Sequence, residues 1–479
     1  MPTVRVFFRY DTEEFTTPAC RDVTLRIARM LTDAGFTATF ITVGELARVW
    51  EREGHSDVIE AVTAHDVGCH TNLHSVHPLP PAYTEGKTWR QAVGEVIARE
   101  TQAVTDIRRL FGRTPSCWTQ AGAAWTPAFL GAMRAWDVPA FWDATSYHSY
   151  VSMDEKPFRL AGILNFIADR HAPEICHLCI SERPGGVEKA LAEFRAAAAD
   201  LGPAGGTICL AAHPGNLNTT RSWDLVNFPY GNNSPRQVWG QPPFKSTATI
   251  EANFRALDAF ARAVAAEPSV MAGCARELPS LFPDPAQGAV FGADALKTIA
   301  ESLADEITFI PAPDCPAGTY LSAAETVLLL ASLATDVADG RGVRRQKLTA
   351  SPCGPEVRVE SRLGGARTIA GRRAVQMAVS LYEHVSRYGL LPSSVEAGGM
   401  TLGPAEYAAT LCGMAPSLLT GEVPKMVELR SAPFTLERYD TSARADWDWK
   451  IYPIGFDAPD GRELARLQTW SLKPAVRIA

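Results

Sequence analysis

Three histidines, His70, His74 and His77, fall within eight residues in the stretch 64–78, AHDVGCHTNLHSVHP, which ends on a proline. His70 and His74 are four apart. On a helical turn that spacing puts two imidazoles on one face, close enough to share a metal ion. Thr71 and the polar residues around it suggest instead a loop entering a site. Taken alone, a His pair at this spacing favours a solvated polar loop, so a metal centre requires ligands from elsewhere in the chain. Near the N-terminus, Asp11-Thr12-Glu13-Glu14 follows the strand-like run Val4–Tyr10. Carboxylates at the carboxyl end of a parallel strand lie where α/β barrels keep their chemistry. An acidic first helical turn would use the same residues. A third polar point is His213, delivered by the apolar run Gly206–Ala212 and followed by Pro214, Gly215 and Asn216.

The elements that must carry these residues alternate. Val4–Tyr10 reads as a buried strand. Arg21–Ala34 reads as an amphipathic helix closed by Gly35, and Thr37–Val43 as a second strand. A short helix over Asp57–Ala64 precedes the histidine loop. Helices are predicted over Trp89–Phe111, Trp125–Trp136, Val187–Ala199 and Thr249–Ala265, and strands over Pro139–Trp142 and Gly206–Ala212. Residues 221–246 form a long loop rich in Asn, Pro, Gly and aromatics, and a loop of that length in a compact domain is usually functional or disordered. The alternation argues for an α/β domain with a largely parallel sheet.

At this point the residues resemble the polysaccharide deacetylase family, the nodulation-type carbohydrate esterases. The segment AHDVGCHTNLH is similar to the family's His–Ser/Thr–two-residue–His metal motif. TDAGFTATFITVGELA is similar to the segment before it, and LAAHPGN to its last motif. The resemblance covers about the first 280 residues and implies a distorted (β/α) barrel. It also implies a divalent metal, zinc first among the candidates, held by His70, His74 and a carboxylate. Asp11 and Glu13, two apart on an extended chain, share one face and both reach one site. Asp11 is assigned as base and Glu13 as ligand, with the reverse left open. His213 resembles the general acid. Substrate contacts are expected from His77, Gln120 and Trp125, although loop structure is the plainer role for His77.

The chain also departs from the family pattern. PSCWTQAGAAWTP stands where the family carries an Arg that orients the base, and only WDATSYHSY loosely answers its fourth motif. The implied activity is a metal-dependent amidohydrolase removing an N-acyl group from an amino sugar or related conjugate. The alternatives are a metal-independent, allantoinase-like C–N hydrolase of the same fold and a non-catalytic carbohydrate-binding protein.

The remainder bounds the setting. At 479 residues the chain is too long for one ordinary core. A net charge of −7 without a long basic run argues against nucleic acid as the partner. No apolar run reaches membrane-spanning length and no secretory leader is visible, so a cytoplasmic location is expected. The ten cysteines read mainly as reduced core residues, with CHLC, Cys176 to Cys179, a weak zinc or redox signal. After a Pro/Gly-rich linker over 279–288, Ile310–Glu325 repeats as Leu391–Glu406 at a constant offset of 81. This predicts a duplicated helical domain over 289–423, with copies near 291–334 and 372–415. It faintly resembles pseudomurein-binding repeats. A structural or dimerising role, giving a homo-oligomer, is the plainer expectation. A hairpin is expected around PEVRVESRL. The aromatic tail 424–479 is expected to pack on one of the domains, beside the active-site mouth.

Overall fold

The computed structural model describes residues 3–142, 150–172, 175, 179–362, 368–444 and 449–478. Its first strand, β1 (Val4–Thr12), is VRVFFRYDT, and Val6, Phe7, Phe8 and Tyr10 are all fully buried. A run apolar on both faces is what a central parallel strand needs. Each such side chain contributes about 1.5–3 kcal/mol on leaving water. The other strands of this half are β2 (Thr39–Thr42), β3 (Asp66–Cys69), β4 (Ala140–Trp142), β5 (Phe158–Leu160), β6 (Ile163–Phe166), β7 (Arg170–His171), β8 (Gly206–Ala212) and β9 (Val270–Gly273). The parallel order is β3-β2-β1-β8-β7. Both β9 and β2 pair with β1, β9 along Val4–Phe7 and β2 along Arg9–Thr12.

Beyond β3 the sheet continues through one residue. Trp118 bridges Cys69 on one side and Phe141 of β4 on the other. β4 pairs with β6 in parallel, and β5 pairs antiparallel with both β6 and Lys473–Pro474. This is a mixed α/β fold around a parallel sheet. The expected distorted barrel is met only to that extent, because no continuous closed ring of strands forms among the described residues. β6 pairs with β4, and the return to β8 runs through the two-residue β7.

Helix positions follow local signals. Trp89–Phe111 begins with a capping box between Thr88 and Gln91 and ends at Gly112 with φ 67°. The expected helix over Trp125–Trp136 is shorter, Ala128–Ala135. Pro127 lacks an N–H and suits only a helix start.

A second apolar core gathers residues 286–436 together with Trp470. The duplication is visible in it. Each copy has a helix (Ala293–Ser302; Gly371–Tyr388), a hairpin (Ile310↔Leu321; Val395↔Leu402) and a second helix (Ala323–Ala338; Pro404–Leu418). Each closes with matching strand pairs, Phe291↔Gln346 and Ile369↔Val427. Ser322 caps the first copy's second helix in a capping box with Glu325. Gly403 and Pro404 open its twin. The hairpin expected around PEVRVESRL does not form among the described residues. Arg362 bridges Thr401 of the second copy instead.

Among the described residues no helix is long and apolar enough to cross a membrane. The described cysteines are unpaired and, Cys315 aside, buried. Cys176 lies outside the described residues. Cys179 sits 2.8 Å from the Asn216 carbonyl.

Candidate active site

Strand register assembles the site. Tyr10 of β1 lies level with Ala212 of β8, Thr12 with Thr42 of β2, and Thr42 with Cys69 of β3. The next residues on three of these strands are Asp11, His213 and His70, so their side chains leave the sheet at its carboxyl edge. Asp11 and His213, 202 apart in sequence, and Asp11 and His70, 59 apart, become neighbours through parallel pairing alone.

The histidine loop is a loop and not a helical turn. Thr71 and His74 are left-handed, with φ 66° and 53°. Such conformations cost energy and persist only where surroundings impose them. Here the Thr71 and Asn72 carbonyls accept from the Gly44 and Glu45 N–H groups at 3.0 and 2.9 Å. The Asn72 N–H donates to Glu100 Oε2 at 2.6 Å, and the His74 N–H to Thr71 Oγ1 at 3.1 Å. Helix Gly44–Arg52 and helix Trp89–Phe111 thus hold the loop that carries His74.

Glu13, His70 and His74 converge so that one donor atom from each lies within 4.8 Å of the others. His74 Nε2 is 2.8 Å and His70 Nε2 3.6 Å from Glu13 Oε2. These separations bracket the distance of about 3–3.5 Å between donors that each sit about 2.1 Å from one ion. The ring orientations agree with such a centre. His70 Nδ1 lies 3.1 Å from the Thr119 carbonyl and His74 Nδ1 2.6 Å from Ser75 Oγ, which turns both Nε2 atoms toward Glu13. His74 Nε2 is buried and, despite its closeness to Glu13, makes no hydrogen bond. A buried nitrogen aimed at a carboxylate without hydrogen-bond alignment is a donor suited to a shared cation. The donor set therefore fits a divalent metal.

The electrostatics are those of a compact charged cluster. Burial would raise the Glu13 carboxyl, but His74 and then His213 hold it well below the usual carboxylate range. Burial opposes charge on His74, and Glu13 overcomes it, so His74 is raised; burial lowers His70. The Trp223 indole N–H donates to Glu13 Oε1 at 3.2 Å, which leaves Oε2 to the histidines. His213 Nε2 faces both carboxylates, 3.6 Å from Glu13 and 3.8 Å from Asp11.

Asp11 is held by Arg9. The guanidinium gives it two hydrogen bonds, 3.0 Å from Nε and 2.9 Å from Nη2. Burial would raise the Asp11 carboxyl; Arg9, His70 and His213 bring it below its ordinary value. An arginine thus orients Asp11 although PSCWTQAG contains none. It comes from the same strand, two residues earlier. The period-two alternation of a strand puts Arg9 and Asp11 on one face, a signal present in the sequence.

A cavity of about 370 Å³ opens on this cluster, lined by Asp11, Glu13, His74, His213, Trp223 and Trp449 among others. Its walls come partly from the long loop, which supplies Trp223 and the buried Asp224. Burial and the neighbouring Glu13 raise the Asp224 carboxyl. Trp449 comes from the tail and lies against His74 at 5.7 Å and over Gly122, where an added Cβ would meet its ring at 2.4 Å. The tail therefore packs beside the cavity mouth. The aromatic-rich loop 221–246 and the aromatic tail pointed to these segments, but which of their residues reach the site is set by tertiary packing.

The three expected substrate contacts are not brought to this cavity. Trp125 is fully buried, with its ring 4.2 Å from Phe141 and 5.8 Å from Phe129. It fills the core because the chain turns inward there before helix Ala128–Ala135. His77 Nε2 is 3.1 Å from the Ile451 carbonyl and serves to tie the histidine loop to the tail. Gln120 is buried two residues before the cavity wall at Gly122, with Oε1 unbonded. Residues 143–149 of WDATSYHSY lie outside the described residues.

No protein-family model matches the chain, and no curated protein sequence matches it. Solved structures similar to parts of it include a polysaccharide deacetylase from Mycobacterium smegmatis. That pair shows 14% identity, 58% of this chain and 90% of that one covered, and a TM-score of 0.37. A 4-alpha-glucanotransferase from Thermococcus litoralis is similar at 13% identity, over 63% of this chain and 46% of that one, with a TM-score of 0.42. The PuuE allantoinase is similar at 12% identity, over 59% and 91%, with a TM-score of 0.36. At these scores the likenesses carry no functional argument.

Proposed function

We propose that this chain is a metal-dependent amidohydrolase that removes an N-acyl group from an amino sugar or a related conjugate. The observation that carries this reading is the meeting of Glu13, His70 and His74 at one point, with Asp11 and His213 beside them on the same cavity. A divalent cation in that position, zinc in the first instance, supplies Lewis acidity toward water and toward an amide carbonyl. Glu13, His70 and His74 are its ligands, and Trp223 and the Thr119 carbonyl fix their orientation.

The rest follows from the chain's own groups. Asp11, ionised and clamped by Arg9, accepts the proton of the attacking water. His213 faces the same space from the end of β8 and gives a proton to the departing nitrogen, which cannot leave as an anion. Trp223 and Trp449 flank His74 and provide apolar ring faces of the kind that pack against a sugar. The cavity is large enough for one sugar unit and its acyl group.

Metal content and turnover together test this. The purified protein should carry one zinc per chain, lost in H74A along with hydrolysis of N-acylated sugars. H213A should keep the metal and lose turnover. Chelator-resistant hydrolysis would select the metal-independent reading, in which Asp11 and His213, 3.8 Å apart, act without a cation. Sugar binding with no hydrolysis of any N-acyl substrate would select the binding protein.

A further inference from the structure

The two copies of the helical unit set the same matched glutamate in different surroundings. In the first copy, the Glu325 carboxylate is fully buried and holds an ammonium group. Lys473 Nζ lies 2.9 Å from both of its oxygens and 2.8 Å from Asp284. The lysine arrives on the extended pair Lys473–Pro474. Ser351 Oγ also donates to Glu325, at 2.7 Å.

In the second copy, the matched carboxylate is Glu406. It too accepts from hydroxyls, from Ser431 Oγ at 3.2 Å and from Ser361 Oγ. No cation of the described residues pairs with it. It opens instead on a groove of about 650 Å³ between this copy and the C-terminal segment. The two arginines of that groove are already engaged, Arg358 by Glu437 and Glu463, and Arg466 by Asp440 and Glu463. Among the described residues, Glu406 and the exposed Glu360 are left as its unbalanced charges. Phe434, half-buried and stacked at 4.4 Å on the buried Trp470, lines the same groove and offers an apolar edge to an aliphatic stem.

We propose that this groove is a binding site for a lysine side chain presented on an extended peptide segment of a partner, seated at Glu406 as Lys473 is seated at Glu325. An ammonium ion matches the charge left over, and the first copy shows the matched glutamate, there joined by Asp284, accepting one. The proposal is independent of the hydrolytic reading of the other cavity.

The test uses the full chain labelled with 5-fluorotryptophan, with the Trp470 fluorine signal assigned through W470F. Nα-acetyl-lysine methylamide should shift that signal saturably, and the norleucine analogue should not. E406Q should weaken binding at least tenfold. E360K, at an exposed position, should weaken it severalfold with an unchanged melting temperature. No saturable shift, an equal response to norleucine, or wild-type affinity in both variants would overturn the proposal. A response to glucosamine but not to the lysine probe would overturn the peptide assignment.

Discussion

Removing Arg9 is the most exacting test of how the site is held. Its guanidinium and the Asp11 carboxylate are 4% and 13% exposed and bond through two parallel contacts. Truncating one partner of such a pair leaves the other as an uncompensated buried charge and costs about 3–5 kcal/mol. R9M keeps much of the side-chain volume over Trp142 and removes the charge, so its cost is electrostatic. D11N should cost a comparable amount, because it strands the guanidinium. The double variant R9M/D11N strands neither and should fall short of the summed cost by about 1–3 kcal/mol. Urea denaturation of the four proteins measures this coupling. Under the proposed mechanism R9M should also lose turnover while keeping its zinc, since Glu13, His70 and His74 are untouched. If R9M lies within about 1 kcal/mol of the parent, or the two losses simply add, Arg9 does not hold Asp11 and the orientation argument fails.

Three other perturbations read other parts of the fold. Burial pushes Glu100, beneath the histidine loop, up to about 7. A raised folded value means the contribution to stability is full below the ordinary carboxylate range and is lost as pH rises through 7. The parent should therefore lose up to about 3 kcal/mol between pH 4 and 8, and E100Q should show a flatter profile in denaturant melts at each pH. G122A places a methyl group into the Trp449 ring at a backbone φ of 49°. It should cost about 1–3 kcal/mol and displace Trp449, which a change in tryptophan fluorescence reports. K473M leaves Glu325 and Asp284 without their ammonium and should destabilise the chain by about 3–5 kcal/mol in thermal or urea unfolding. A neutral result would remove this buried cluster from the account.

Much of what gathers at the candidate site was legible in the chain itself. The pair His70/His74, the carboxylates after β1 and the histidine after β8 each stand at a strand end that the local pattern marks. The constant offset of 81 between Ile310–Glu325 and Leu391–Glu406 was readable because a repeat is a property of the chain itself. Helix Trp89–Phe111 was readable to the residue, because its cap and its glycine stop are both local. The hairpin around PEVRVESRL was not, because Arg362 found its partner 39 residues away at Thr401. Trp125 misled because an aromatic near a motif fills a core as readily as it lines a cavity. Arg9 was missed although strand alternation pointed to it.

The sequence by itself determined which side chains were available and which strand each one ended, because strand and cap preferences act over a few residues. Only the tertiary structure decided that Trp223 would orient Glu13, that Arg9 would clamp Asp11 and that the tail would close the cavity with Trp449. Only it decided that Lys473 would fill one copy of the duplicated unit and leave Glu406 open in the other. Those outcomes depend on contacts between segments far apart in the chain, where burial and charge pairing choose among partners that local sequence leaves equivalent.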